Sequence, residues 1–295
     1  EARALLAERN ELRAQAREHA LQTAQVLATT FGTLARIAED LPRAVTAVVD
    51  EATQATEPAV WVAVPWVKRL LLVGDPHQLG PVVKTGDPIL SQPLLNRLVD
   101  AGVPLPMLEV QYRMAPAIRE LVAEIYGPTY RDAPGLADRA GEVVFVDTAG
   151  AGAEERDPLT SSLYEPAEID AVARLVEAEI ARGTPRDRIV VVTPYSAQVS
   201  RLRARAELAG IEVGTVNAMQ GREQDVVIVS FVRSNHDGDL GFVADDRRLT
   251  VALTRARHRL YLVGDTGTLA RNARFARLID RIADAGGLRS VWDET

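Results

Sequence analysis

The run VTAVVDEATQATEP at residues 45–58 decides the reading of the fold, because an almost unbroken apolar stretch stops there at two adjacent carboxylates, Asp50 and Glu51. Two acids side by side repel each other, so a chain that sets them at the end of a buried strand gives them something to hold. Apolar runs of the same kind stand at 24–29, 70–73, 143–146, 189–192, 226–229 and 260–263. Short β-branched runs that are apolar on both faces are expected of strands in a parallel sheet covered by helices. Between them lie amphipathic segments. The clearest is 165–182, where Ile169, Val172, Val176 and Ile180 fall at helical spacing and Gly183 follows as a stop. Strands alternating with helices make an α/β fold. Four of the runs finish in a polar or turn residue, at Asp50, Gly74-Asp75, Thr193-Pro194 and Gly264-Asp265. Open parallel sheets bind ligands at the carboxyl ends of their strands, so the candidate site is sought there.

The chain has 295 residues, 47% hydrophobic and 25% charged, which suits a globular protein with one large domain or two of ordinary size. No signal peptide opens the sequence and no apolar run is long enough to span a bilayer, so the expectation is a cytoplasmic protein without membrane contact. Cysteine is absent, which excludes disulfides and thiolate metal sites. The net charge of −7 argues against a protein that coats nucleic acid nonspecifically, yet leaves room for a narrow basic groove. Of the 34 basic residues two are lysines, Lys68 and Lys84, leaving 32 arginines, the pattern of codon use in a GC-rich, bacterial genome.

Alone, an Asp-Glu pair is more often a solvent-facing acidic turn, but five further stretches follow this one. They are GDPHQLGPVV (74–83), LEVQYRMAP (108–116), VVTPYSAQ (191–198), VGTVNAMQGREQDVVIVSFVRS (213–234) and GFVADDRRLTVALTRAR (241–257). In this order they resemble the successive motifs of superfamily 1 helicases, in particular the 5′-to-3′ (1B) branch typified by the up-frameshift nonsense-decay helicase, with its pair of AAA-type domains. The resemblance implies two RecA-like, parallel-sheet P-loop NTPase lobes, with ATP and Mg²⁺ as cofactors and single-stranded DNA or RNA as partner. It implies that Asp50 holds Mg²⁺ and that Glu51 is the general base for the attacking water. Gln78 would sense the γ-phosphate, since an amide donates and accepts at once. Tyr112 offers a flat face to stack on a base, and Arg113 a fixed fork for phosphate oxygens. Arg255 would be the arginine finger, Gly221 would allow close backbone approach, and Glu223 would accept from a ribose hydroxyl. On the nucleic-acid side the resemblance implies Thr29, Thr30, Thr193, Tyr195, Gln198 and Thr215, whose groups suit tracking a backbone without reading bases, across the same cleft face. Each residue taken singly has a plainer reading as a turn, cap or surface charge.

Three positions depart from the family pattern: Gly80 stands for a proline, Asn217 for an aspartate and Thr250 for an asparagine. A larger departure is the phosphate-cradling loop G-x-x-x-x-G-K-[ST], because neither Lys68 nor Lys84 follows the required glycines. The expected organisation is therefore a stalk-like helix at 1–24, the C-terminal part of a first RecA-like lobe at 25–103 and a second lobe at 104–295. The loop would come from a missing N-terminal segment or from a partner, and this chain alone would be inactive as an ATPase. The alternative reading is a non-catalytic module that binds nucleic acid or a partner.

Overall fold

The parallel strands expected from the apolar runs are present in a computed structural model that describes residues 2–219 and 221–293. The described residues fall into two compact units, divided between Leu105 and Pro106. Unit 1 contains α1 (Ala2–Thr23), α2 (Phe31–Ile37), β1 (Ala44–Val49), α3 (Glu57–Trp61), β2 (Val67–Leu72) and α4 (Leu94–Asp100). Helix α1 buries no residue, as its run of Ala, Glu and Arg with a thin apolar stripe leads one to expect. Strands β1 and β2 pair in parallel from Ala44 opposite Val67 to Val49 opposite Leu72. One face of the pair packs Val49 with Ala52, Val60, Leu94 and Leu95 into a small core. The other face leaves Val48 and Leu71 exposed, and Val45, on the same face as Val49, is exposed at the start of β1, so here the core covers only the far end of one side.

The run at 24–29 is not a strand. It is irregular and exposed, with Val26 at 85%, and no described strand pairs with it. A strand is defined by its hydrogen-bonded neighbour, and apolar composition alone does not supply one.

Unit 2 contains β3 (Val110–Gln111), α5 (Pro116–Leu121), α6 (Ala123–Tyr126), β4 (Arg131–Asp132), β5 (Glu142–Asp147), β6 (Glu155–Arg156), β7 (Leu163–Tyr164) and α7 (Pro166–Ala181). It continues with β8 (Ile189–Thr193), α8 (Ser196–Arg203), β9 (Glu212–Thr215), β10 (Gln224–Ser230), α9 (Asp246–Leu253), β11 (Ala256–Gly264), α10 (Thr266–Leu269), α11 (Ala273–Asp284) and β12 (Leu288–Ser290). Six of these strands form one parallel sheet in the order β12-β5-β11-β10-β8-β9. Strands β3 and β4 pair in parallel and β6 with β7 antiparallel.

Both faces of the six-stranded sheet are buried, and the period of two sorts the residues between them. Val144, Val146, Ile189, Val191, Val226, Ile228, Tyr261 and Val263 pack with Ile169, Val172 and Val176 of α7 and with Val199 and Leu202 of α8. The intervening Phe145 turns the other way, toward Phe231, which meets Phe275 of α11 edge-on at 5.2 Å. Helix α7 begins on Glu165, whose carboxylate accepts from the Glu168 N–H, and stops before Gly183 at φ +90°. Among the described residues no helix is long and apolar enough to cross a membrane.

Candidate functional site

In unit 1 the acidic pair sits where β1 ends. Asp50 is exposed, and its Oδ1 accepts from the Glu51 N–H at 3.0 Å. Glu51 adopts the left-handed conformation, φ 51° and ψ 42°, which costs a residue with a Cβ about 1 kcal/mol. The bend is pinned from both sides, by Val73 N–H to Val49 O at 2.9 Å and Ala52 N–H to Val73 O at 2.8 Å. Gly74 comes so near that a Cβ there would lie 3.1 Å from the Thr53 nitrogen and 3.2 Å from that of Ala52. Gln78 occupies the next loop. Its amide donates to Asp75 Oδ2 at 2.9 Å, while Asp75 Oδ1 accepts from the His77 N–H at 2.9 Å.

No group of three or more His, Asp or Glu that could cage a metal occurs among the described residues. Asp50, an exposed carboxylate beside a second acid, fits Mg²⁺, which takes one or two carboxylates with waters and substrate phosphates for the rest. The other two residues on this side are Thr29 and Thr30, both exposed. The Thr30 hydroxyl caps α2 by accepting from the Thr33 N–H at 3.3 Å.

In unit 2, three segments distant in sequence meet at the amino ends of β10 and β11. The turn after β3 is built by Gln111, whose Oε1 accepts from the N–H groups of Arg113 and Met114 at 2.8 Å each. The Ala115 N–H donates to Arg257 O at 2.8 Å, and the Gln224 N–H to Arg255 O at 3.0 Å. These ties bring Arg113, Glu223, Arg255 and Arg257 together. Arg113 donates through Nε to Glu223 Oε2 and through an NH group to Thr254 O at 3.1 Å. Arg257 donates through Nε to Glu223 Oε1 at 3.0 Å. Burial pushes the Glu223 carboxyl up, but the Arg257 and Arg113 guanidiniums outweigh it and hold the group below the usual glutamate range.

Arg255 is 3% exposed and turns inward. Its donations include Nε to Val251 O at 2.9 Å, one NH group to Arg222 O at 3.2 Å and the other to Thr254 Oγ1 at 2.9 Å. Tyr112 is the opposite case, 75% exposed. Gly221 is exposed with φ +75°, and Gln220, the first residue of QGRE, lies outside the described residues.

The carboxyl ends of the same strands carry a second set. Thr193 and Thr215 are paired neighbours at the ends of β8 and β9, one fully buried and one half-buried. Tyr195 and Gln198 are buried too, and their polar atoms are engaged internally. Gln198 accepts from the Glu165 N–H at 3.0 Å and donates to Ser230 Oγ at 2.8 Å, and the Tyr195 hydroxyl accepts from Arg233 at 3.3 Å. Within unit 2, therefore, the expected strand-contacting residues and the arginines lie at opposite ends of the strands. The expectation of one shared face is corrected accordingly: β11 begins at the arginines, while β8 and β9 finish at the threonines.

Several organising residues escaped the sequence reading. Glu168, with no exposed surface, accepts from Ser230 Oγ at 2.6 Å and from the N–H of Val232 at 2.8 Å, fixing Val232 at the rare φ of 73°. Arg233, beyond that kink, binds Glu154 at 2.8 Å and Asp239 at 3.0 Å. Exposed Phe242 lies 6.0 Å from the Tyr195 ring and 5.0 Å beneath the Arg248 guanidinium. The available signal was Glu168 itself, a carboxylate four residues before Val172 on the apolar stripe of a helix.

A family model described as an AAA domain matches residues 90–267, and a second with the same description matches residues 1–86. The chain is 35% identical over 270 residues to DNA-binding protein SMUBP-2 of Mesocricetus auratus, covering 83% of this chain and 27% of that protein. It is 35% identical over 291 residues to regulator of nonsense transcripts 1 of Caenorhabditis elegans, covering 90% and 27%. Against ATP-dependent helicase NAM7 of Saccharomyces cerevisiae it is 33% identical over 268 residues, covering 82% and 28%. The chain thus spans little more than a quarter of the length of these curated relatives. Among solved structures, an arterivirus nonstructural protein 10 helicase in complex with DNA overlaps 75% of this chain and 40% of its own, at TM-score 0.43 and 22% identity. The PRRSV helicase overlaps 74% and 34%, at TM-score 0.43 and 19% identity.

Proposed function

We propose, on the premise that the chain belongs to the AAA-domain family of superfamily 1 helicases related to the nonsense-decay helicase, that it is the C-terminal part of an ATP-dependent motor moving 5′-to-3′ along single-stranded DNA or RNA. The observation that carries the proposal is the meeting of the QYRM, QGRE and LTRAR segments at the amino ends of β10 and β11, with the Arg113 and Arg257 guanidiniums on Glu223 and Arg255 bonded to the neighbouring Arg222 carbonyl. Cations brought together with so little counter-charge suit a polyphosphate ligand.

In this reading residues 25–103 belong to one RecA-like lobe, residues 104–295 to a second, and 1–24 to a stalk. Asp50 would hold Mg²⁺, and Glu51 would take the proton of the attacking water. A bound Mg²⁺ supplies charge neutralisation on the phosphate oxygens. Gln78 reads the γ-phosphate from a loop fixed by Asp75. Arg113 and Arg255 neutralise charge on the transferring phosphoryl group, Arg255 by exchanging its bonds to Val251, Arg222 and Thr254. Tyr112 stacks on the nucleotide base, while Gly221 and Glu223 border the ribose. Thr29, Thr30 and Thr215 present hydroxyls to the strand backbone. Thr193, Tyr195 and Gln198 hold that surface in shape from beneath.

The sequence contains no G-x-x-x-x-G-K-[ST] stretch, so the loop gripping the β- and γ-phosphates comes from outside residues 1–295, from an adjoining segment or a partner. Residues 1–295 alone then hydrolyse ATP negligibly, and the 32 arginines are in keeping with a GC-rich, bacterial genome. The test is phosphate release with and without added single strands, measured on residues 1–295 and on a longer protein that includes the loop. Stimulated release by the longer protein alone is expected; equal release by both contradicts the proposal. The missing loop motif also favours a second reading, a module that binds without catalysis. Anisotropy of a labelled single strand separates the two, since binding by the longer protein that ignores ATP belongs to the module.

A further inference from the structure

Glu223 is shared between two arginines, and that sharing defines a seat for an anion. Its Oε2 is taken by Arg113 Nε and its Oε1 by Arg257, so one carboxylate spans two guanidiniums. The stems of both arginines are held independently of it. Arg113 is anchored by its bond to Thr254 O and by its carbonyl, which accepts from Arg139 at 2.8 Å. The carbonyl of Arg257 accepts from Ala115, and its other near anion is Asp225 at 3.8 Å. Asp225 is itself drawn to Arg188 at 3.8 Å, and the neighbouring Arg222 pairs with Glu212. The cluster is therefore short of negative charge even with Glu223 in place. The three side chains are 35%, 30% and 36% exposed, open enough for a ligand to exchange with the carboxylate. Arg255 differs, being buried and bonded to two carbonyls.

Resting on the proposed motor reading and deepening it, we infer that Glu223 is an internal stand-in for phosphate. A phosphoryl group of a polyphosphate ligand takes the seat between Arg113 and Arg257 by displacing the carboxylate, so that Arg257 joins Arg113 and Arg255 as a phosphate-gripping arginine of unit 2. Two oxygens of a phosphoryl group match the two oxygens of the carboxylate they replace, and the doubly charged ligand answers both cations where Glu223 answers them with one charge. The displaced Glu223 is then released to accept from a ribose hydroxyl, which makes that role a property of the liganded protein.

The test uses inorganic tripolyphosphate titrated into residues 1–295, read by calorimetry and by the NMR signals of arginine Nε–H groups. Glu223→Gln keeps the shape and removes the competing charge, so affinity should rise about fivefold. Arg257→Gln added to it should cancel the gain, and Glu212→Gln, which removes a nearby acid outside the seat, should change little. In the unsubstituted protein tripolyphosphate should shift the Arg113 and Arg257 Nε–H signals. An Arg257 signal unmoved at saturation overturns the inference, as does a folded Glu223→Gln variant that binds no tighter. Should that variant not fold, the NMR result on the unsubstituted protein decides. ATP hydrolysis by the longer protein with Arg257 unmoved would refute the seat and leave the motor. A shifted Arg257 in a protein whose longer form never hydrolyses ATP would refute the motor and leave the seat.

Discussion

Glu168 has no exposed surface at the first turn of α7, and burial pushes its carboxyl well above the ordinary 4.5, against the opposing bonds from Ser230 and Val232. Glu165, also buried, is raised for the same reason, with the charge of Asp265 adding to the effect. A raised folded pKa means that the folded protein binds the proton more tightly than the unfolded chain. The stabilisation is fully present below 4.5 and is lost as pH climbs from there through the raised value. Glu168→Gln keeps an acceptor for Val232 and cannot ionise, so the melting temperature of the native protein should fall relative to the variant as pH rises from about 4.5 to 8. Parallel curves would mean that Glu168 does not titrate in the fold. The residue types at the site were readable from sequence, but their orientation was not. Arg255 and Arg257 are two apart in one motif, yet one is buried and the other paired with Glu223 near the surface. What distinguishes them is that Arg255 turns inward onto the carbonyls of Val251 and Arg222 while Arg257 reaches Glu223, and no local pattern encodes it.

At the scale of elements, β1 and β2 show how a strand end becomes a site. The loop carrying Asp50 and Glu51 closes against the end of β2, and Gly74 is the point of closest approach. Gly74→Ala would bring a Cβ against backbone nitrogens of Ala52 and Thr53, which cannot swing aside as a side chain would. The acidic pair must then shift. Strand-stimulated ATP hydrolysis by the longer protein should fall about a hundredfold while the far-ultraviolet circular dichroism is kept. Full activity in that variant would show that the position of the pair is uncritical. Strands β5, β8, β10 and β11 were legible because each is apolar on both faces of a covered sheet. The 24–29 run looked the same on paper but lacks a neighbour, and pairing is a long-range property that composition does not carry.

Across the whole molecule the two units differ in how completely their sheets are covered. Strands β8, β10 and β11 are buried on both faces, whereas β1 and β2 expose Val45, Val48 and Leu71. Amides of β1 and β2 should therefore exchange with solvent about a hundredfold faster than those of β10, and equal protection would contradict the difference in cores. The order of the motifs along the chain was fully legible, because each is a continuous stretch. Their division between opposite ends of the unit 2 strands was not, since it follows from how β8 to β11 are threaded through the sheet. The central claim is that these scattered groups serve one nucleotide-driven reaction. Its most direct test is phosphate release by the longer protein with single strands present, comparing Arg255 with Arg255→Ala. The account predicts stimulated release that drops about a thousandfold in the variant, with strand binding retained. Undiminished stimulated release from Arg255→Ala would contradict it.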